Sequence, residues 1–228
     1  MKNIAIIPAR SGSKGLRDKN IKLLNGNPLM AYSIEAALQS GTFDTVHVST
    51  DSEQYADIAR SYGADVPFLR NVETSSDTSS SWDTVREVLA KYHNIEKSFD
   101  SFMLLQPTSP LRTAHDIKCA YKLFYDNNAS SIISVCEVEH SPLWCNTLPS
   151  DNSLAGFIRS NNTAKPRQQL DKYYRINGAI YLVRIQNSSF EDTLYTDGCF
   201  AYIMDKQKSI DIDDMYDFLI AQTLLKQP

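Results

Sequence analysis

The 228 residues are 42% hydrophobic with a formal net charge of -4, which is enough chain to bury a substantial core and not the composition of a disordered segment. The acidic balance excludes general nucleic-acid binding, which needs many phosphate contacts. No apolar run approaches the roughly 20 residues that span a bilayer, and the opening apolar stretch is too short for a signal peptide, so a cytoplasmic protein bound to neither nucleic acid nor membrane is expected.

The first predicted element is a short apolar strand over 2–8, of the kind buried on both faces of a sheet. It runs into a small, polar and cationic loop over 9–20. As far as Lys22, the cations Lys2, Arg10, Lys14, Arg17, Lys19 and Lys22 stand against Asp18 alone, inside an otherwise acidic chain. A glycine-containing cationic loop at a strand end points to a small, highly charged anion. Leu29, Ile34, Ala37 and Leu38 then fall at helical spacing. A strand over 46–50 leads to Asp51 or Ser52 as the cap of a helix through Tyr55, Ile58, Ala59 and Tyr62, stopped by Gly63.

A short strand is expected over 66–69, a serine-rich loop over 74–81, and a helix spaced by Trp82, Val85, Val88, Leu89 and Tyr92. The strand over 102–105 ends at Gln106-Pro107-Thr108-Ser109-Pro110, because proline gives no donor to a ladder. A helix over 114–125 and a strand over 131–138 continue the alternation, which predicts an α/β fold with a parallel sheet covered on both faces. Over 140–175 the pattern lapses among Pro142, Pro149 and Pro166, so this stretch reads as an inserted arm in a main domain formed by 1–139 and 176–228. Strands over 179–183 and 201–204 and a closing helix with Phe218, Leu219 and Leu224 complete the chain, with Asp214 as its cap.

Three polar loops follow strand ends, over 9–20, 74–81 and 106–112, and ligands of open α/β sheets bind at such ends, so the loops are expected to share one crevice. The first loop is neither a Walker A nor a dinucleotide fingerprint. Its small residues would let backbone N–H groups approach phosphate while Arg10, Lys14 and Lys19 supply charge; the plainer alternative is a solvated basic turn. Asp211 and Asp213 would project from one face if their segment is extended, with Ile210 and Ile212 on the other. Such a D-x-D suits Mg²⁺ beside a triphosphate, or it decorates the N-terminus of the last helix. Arg70 and Ser81 could read a base edge, or be a surface arginine and a helix-cap serine. Arg167 and Arg175 could hold a carboxylate. His47, His93, His115 and His140 have no metal or triad spacing, and Cys119, Cys136, Cys145 and Cys199 read as packing residues.

Taken together, Ile7-Pro8-Ala9-Arg10-Ser11-Gly12-Ser13-Lys14-Gly15 with Lys19-Asn20, Ser76-Asp77-Thr78-Ser79-Ser80-Ser81, Leu104-Leu105-Gln106-Pro107-Thr108-Ser109-Pro110-Leu111-Arg112, Pro166-Arg167-Gln168-Gln169, Asn177-Gly178-Ala179-Ile180-Tyr181 and Ser209-Ile210-Asp211-Ile212-Asp213 resemble the acylneuraminate cytidylyltransferases, the CMP-sialic acid synthetases. The resemblance covers nearly the whole chain. It implies a Rossmann-like nucleotidyltransferase fold, a homodimer built through the arm, and transfer of CMP from CTP to a nine-carbon acidic sugar with Mg²⁺ or Mn²⁺.

Carried over by position, the resemblance puts Ala9, Arg10, Ser13, Lys14, Gly15 and Lys19 around the triphosphate, and Asn20, Arg70 and Ser81 around the cytidine. Asp211 and Asp213 become the metal acids, and Gln106, Arg167, Asn177, Tyr181 and Tyr195 face the sugar. Arg10, Lys19, Arg175 and Asp211 become the catalytic set. Family members that use N-acetylneuraminate often carry lysine after the Pro-Leu of the arm, whereas here Pro142-Leu143 precedes Trp144, which leaves legionaminic or pseudaminic acid open as the sugar. A GT-A-like glycosyltransferase, which also uses D-x-D, is the alternative from a different class.

Overall fold

A computed structural model describes residues 1–12, 15–76, 79–158, 170–185, 190 and 194–226. Strand β1 (Asn3–Pro8) is buried from Asn3 to Ile7, and its alternate side chains feed two separate cores. Ala5 and Ile7 pack with helices α1 (Leu29–Ser40), α2 (Glu53–Ser61) and α4 (Ala114–Asp126), while Ile4 and Ile6 pack with α3 (Ser81–Asn94). This is the period of two that places successive side chains on opposite faces. It explains why the strand reads as a continuous apolar run.

The main sheet adds β4 (Thr45–Ser49), β5 (Ser101–Leu104), β6 (Ser131–Glu137), β7 (Tyr174–Arg184) and β8 (Cys199–Ile203), in the order β4-β1-β5-β7-β6-β8. A two-strand hairpin of β2 (Leu23–Leu24) and β3 (Asn27–Pro28) precedes α1, and α5 (Met215–Leu224) closes the chain. β1 runs parallel to β4 and β5, and β6 runs parallel to β8. β7 alone is antiparallel to its neighbours β5 and β6, so the sheet is mostly rather than wholly parallel.

The starts of α2 and α5 follow the chemistry read from the sequence, and α3 is capped by Ser80 rather than the neighbouring Ser81. Ser52 caps α2, and Ser80 with Asp83, Thr113 with Asp116, and Asp214 with Asp217 form capping boxes on α3, α4 and α5. Asp214 therefore has the capping role expected of it.

Three expectations are corrected. The strand expected over 66–69 is absent: the chain there makes one bridge, His47 with Asp65, and Pro67 has no N–H with which to extend it. β7 begins at Tyr174, earlier than the apolar run suggested, so Tyr174 and Arg175 belong to the sheet. Polar Arg175 and Asn177 hid that start. Cys136 is buried as a packing residue, but Cys145 is exposed. Before β7 begins, the described parts of the 140–175 stretch hold a single 3-10 turn, Pro142–Trp144, and are largely exposed from Cys145 onward. Among the described residues no helix is long and apolar enough to cross a membrane.

Candidate functional site

From the end of β1 the chain passes through α1 to β4 on one side; from β5 it passes through α4 to β6 on the other. A reversal of this kind opens a crevice at the carboxyl ends of the two strands. A cleft of about 720 Å³ lies there. Arg10, Gly15, Lys19 and Asn20 reach it from the first loop, Arg70 and Ser81 from the segments flanking the serine-rich loop, Gln106 and Thr108 from the loop after β5, and Asp211 and Asp213 from the distant end of the chain. The three loops do converge on one crevice. Ser13 and Lys14 lie outside the described residues, and so does Arg167. Ala9 is fully buried beneath the loop, its N–H donating to the Ser49 carbonyl at 2.8 Å.

The loop is tied to the acidic segment. Lys19 Nζ donates to the Ile212 carbonyl at 2.5 Å and stands 3.7 Å from Asp213 Oδ1. Gly15 lies so close to this segment that an added Cβ would meet the Asp213 carbonyl at 2.7 Å. Below them Leu16 packs with Ile212, Leu24, Leu29 and Phe218, so one apolar cluster joins the loop to α5. Residues 209–213 form no strand. Even so, Ile212 is buried and Asp213 exposed, and the Ile212 N–H donates to the Thr108 carbonyl at 2.9 Å. Asp211 is partly buried. Burial, with the charge of Asp213, raises its carboxyl above the usual range against the opposing pull of Thr108, Lys19 and Arg175. A crowded, half-desolvated carboxylate is one that a cation would relieve.

On the opposite wall Arg70 is no surface arginine. It is buried, with Nε donating to Ser49 Oγ at 3.0 Å and Nη2 to the Ser49 carbonyl at 2.8 Å, and burial lowers its pKa to about 10. Asn20 is also buried, its amide donating to the Arg10 carbonyl at 3.0 Å. Arg10 Nη1 reaches the Ser75 carbonyl at 3.2 Å, which joins the cationic loop to the serine-rich one.

Around Gln106 the expected sugar side is only partly assembled. Tyr181 is half-buried and packs edge-on to Trp82 at 5.5 Å. Burial, with nearby Tyr195 and Asp211, pushes its phenol up to about 12. Tyr195 is 67% exposed. Asn177 does not line the cleft: it is buried, accepting from Ser134 Oγ at 2.6 Å and donating to Ser209 Oγ at 2.9 Å. Its amide orders the site from behind. Arg175 Nη2 donates to the Ser209 carbonyl at 3.0 Å, beside Asp211.

Sequence reasoning passed over Thr74, Thr84 and Thr108, which also line the cleft. Thr108, which hydrogen-bonds Asp211, sits inside the Gln-Pro-Thr-Ser-Pro motif, and that motif is the signal the sequence carries for it.

A profile of the cytidylyltransferase family matches residues 4–222. The chain belongs to the cytidylyltransferase family. This cytidylyltransferase is 37% identical to the CMP-N,N'-diacetyllegionaminic acid synthase of Legionella pneumophila, a match covering 99% of this chain and 97% of the relative. It is 42% identical to an N-acylneuraminate cytidylyltransferase of Escherichia coli over 98% of this chain, which spans 52% of that longer protein. The pseudaminic acid cytidylyltransferase of Campylobacter jejuni is 33% identical, covering 99% of this chain and 97% of the relative. In fold, it resembles CMP:2-keto-3-deoxy-manno-octonic acid synthetase complexed with CTP, with a TM-score of 0.69 at 19% identity over 99% of this chain and 98% of the other. The 4-diphosphocytidyl-2C-methyl-D-erythritol synthase of Anaerococcus prevotii superposes with a TM-score of 0.63 at 11% identity, covering 99% of each chain.

Proposed function

We propose that this enzyme transfers CMP from CTP to the anomeric 2-hydroxyl of a nine-carbon acidic sugar of the sialic, legionaminic and pseudaminic class, releasing pyrophosphate, and that it works as a homodimer in the cytoplasm. The observation that carries the reading is the meeting, in one cleft, of a cationic glycine-containing loop with Asp211 and Asp213 from the other end of the chain. Relatives that name three sugars of this class support the acceptor class and leave the choice within it open.

The chemistry is an in-line displacement. The sugar hydroxyl oxygen bonds to the α-phosphorus as the bond to the β-phosphate oxygen breaks, the hydroxyl proton leaves to solvent, and pyrophosphate departs. Such transfers depend on positioning and charge stabilisation. Arg10 and Lys19 would neutralise the triphosphate and the charge growing on the leaving group. Arg70, Asn20 and Ser81 would frame the cytosine and ribose, Gln106 and Tyr181 would orient the sugar beside Asp211, and Arg175 would stand near the reacting phosphates. Ser13, Lys14, Arg167 and Tyr195 keep the roles that the family resemblance implies.

The donor set fits a hard divalent cation. The described residues contain no cluster of three or more metal-ligating side chains. Mg²⁺ characteristically uses one or two carboxylates and completes its shell with water and phosphate. Asp211 and Asp213 would hold Mg²⁺ or Mn²⁺, which when bound supplies Lewis-acid polarisation of the phosphate oxygens.

The test is pyrophosphate release from CTP with N-acetylneuraminate, legionaminate, pseudaminate and the eight-carbon Kdo as acceptors, each with and without a chelator. Release is expected with at least one nine-carbon acid and is expected to stop on chelation. Binding of CTP with no release on any acceptor would leave a nucleotide sensor instead, and chelator-resistant turnover would return Asp211 and Asp213 to a helix-terminal role.

A further inference from the structure

β1 and β4 are parallel neighbours with Pro8 opposite Ser49, so the segments that leave them emerge side by side. Three residues past Pro8 stands Ser11; two past Ser49 stands Asp51. Asp51 accepts from the Ser11 backbone N–H at 2.7 Å through Oδ1 and from the Ser11 hydroxyl at 2.9 Å through Oδ2. Four residues on, in the first turn of α2, Tyr55 donates from its hydroxyl to Asp18 Oδ1 at 3.1 Å. Asp18 holds a left-handed backbone, φ 52, immediately before Lys19. Tyr55 is itself 3% exposed and belongs to the same core cluster as Ala56, Ala59 and Met30. The corner 51–55 therefore grips the cationic loop on both shoulders, one just before Gly12 and one just before Lys19.

From this geometry we infer that Asp51, with Tyr55, is a positioning element for nucleotide binding: it fixes the two described flanks of the cationic loop, at Ser11 and at Asp18, without touching the nucleotide. The inference rests on the nucleotide reading above and deepens it. At Asp51, charge and position act on CTP binding with opposite signs. By Coulomb's law alone, a carboxylate beside an anion site opposes binding, so removing it would tighten CTP. If instead the carboxylate preorganises the loop, its removal frees the Ser11 N–H and hydroxyl, and ordering them again costs affinity. A charge-assisted pair of bonds outweighs one screened repulsion across a solvated cleft.

The experiment is calorimetric titration of the whole protein with CTP, in wild type, Asp51→Ala, Asp51→Asn and Ser11→Ala, alongside steady-state kinetics. Asp51→Ala is expected to weaken CTP by about tenfold or more. Its kcat at saturating CTP should stay near wild type, because the reacting groups are untouched. Asp51→Asn keeps an acceptor for the Ser11 N–H and is expected to recover most of the affinity, although it carries no charge. Ser11→Ala should weaken CTP more modestly, and it should have no further effect in the Asp51→Ala background. Unchanged or tighter CTP binding in Asp51→Ala would overturn the inference. Should Asp51→Ala fail to fold, wild-type affinity in Ser11→Ala would overturn it as well. A wild-type protein that binds no CTP would instead defeat the nucleotide reading itself, and is told apart by that first titration.

Discussion

Gly178 has φ +75, in the left-handed region, and a Cβ there would lie 2.7 Å from Gln106 Oε1 and 3.6 Å from Asp211 Oδ2. The residue is therefore the gap in which the expected sugar-binding amide and a candidate metal carboxylate come together. A kink in β7 puts it there: between Ile133 and Val135 of β6 the partner on β7 jumps from Tyr181 to Ile176, and the surplus residues bulge. Ser134 Oγ fills the bulge, donating to Asn177 Oδ1 at 2.6 Å and accepting from the Ile180 N–H at 2.8 Å. Arg112 closes it from below, its buried guanidinium donating to the Ala179 carbonyl at 3.0 Å and the Gln106 carbonyl at 3.3 Å. Gly178→Ala would both strain the backbone, by roughly 1–2 kcal/mol, and push the Gln106 side chain aside. The expected result is a KM for the acidic sugar raised by about tenfold or more, with the KM for CTP little changed. Equal losses for both substrates would mean that the whole cleft is distorted and that Gly178 has no special bearing on the sugar side.

Among the elements, β4 and α3 enclose a polar chain that the apolar pattern gave no reason to expect. His47 is fully buried; its Nδ1 lies 3.1 Å from the Tyr92 hydroxyl, which donates to Asp65 Oδ2 at 3.0 Å. The rings of Phe68 and Tyr92 pack on it at 5.0 and 5.3 Å. Burial lowers its pKa from 6.5 to about 4, assisted by Arg70 and Lys91 and opposed by Asp65. A histidine held neutral when folded takes up its proton more readily when unfolded. Its contribution is therefore complete above pH 6.5 and is lost as pH falls toward 4. In this window denaturant-measured stability should fall by up to about 3 kcal/mol on this account. His47→Leu should flatten that slope, and an unchanged slope would exclude His47 as its source. The same region marks what the sequence could convey. Helix caps and alternating cores depend on neighbours in the chain, so α2 to α5 and the two-faced β1 were legible. The strand expected over 66–69 failed because one proline outweighs its apolar neighbours, and the start of β7 was masked by the polar side chains of Arg175 and Asn177. The burial of Arg70 and Asn177 was not legible for a related reason: it depends on partners such as Ser49, Ser134 and Ser209 that are distant in sequence.

For the molecule as a whole, the loops at the strand ends explain the cleft, but the start of β7 and much of β8 are left exposed at the far side of the sheet. Register sets Val135 opposite both Ile176 and Ile203, so the three side chains form an apolar row across β7, β6 and β8. Ile176 is 44% exposed and Ile203 is 60% exposed. Tyr174 beside them, and Leu148 and Leu154 in the described part of the 140–175 stretch, are exposed too. A sheet edge that is also apolar invites association unless something covers it. A second copy of the chain, exchanging arms across this face, would cover both the row and the leucines, and a stable contact requires roughly 800 Å² from each partner. Ile203 stands on β8, at the edge opposite β4 and outside the cleft, so a charge there should disturb association without touching nucleotide binding. In sedimentation at micromolar concentration, the wild type is expected as a dimer and Ile203→Asp as a monomer that still binds CTP. A variant that stays dimeric would move the contact away from this face, and a wild type that is monomeric throughout would remove the homodimer from the proposed function altogether.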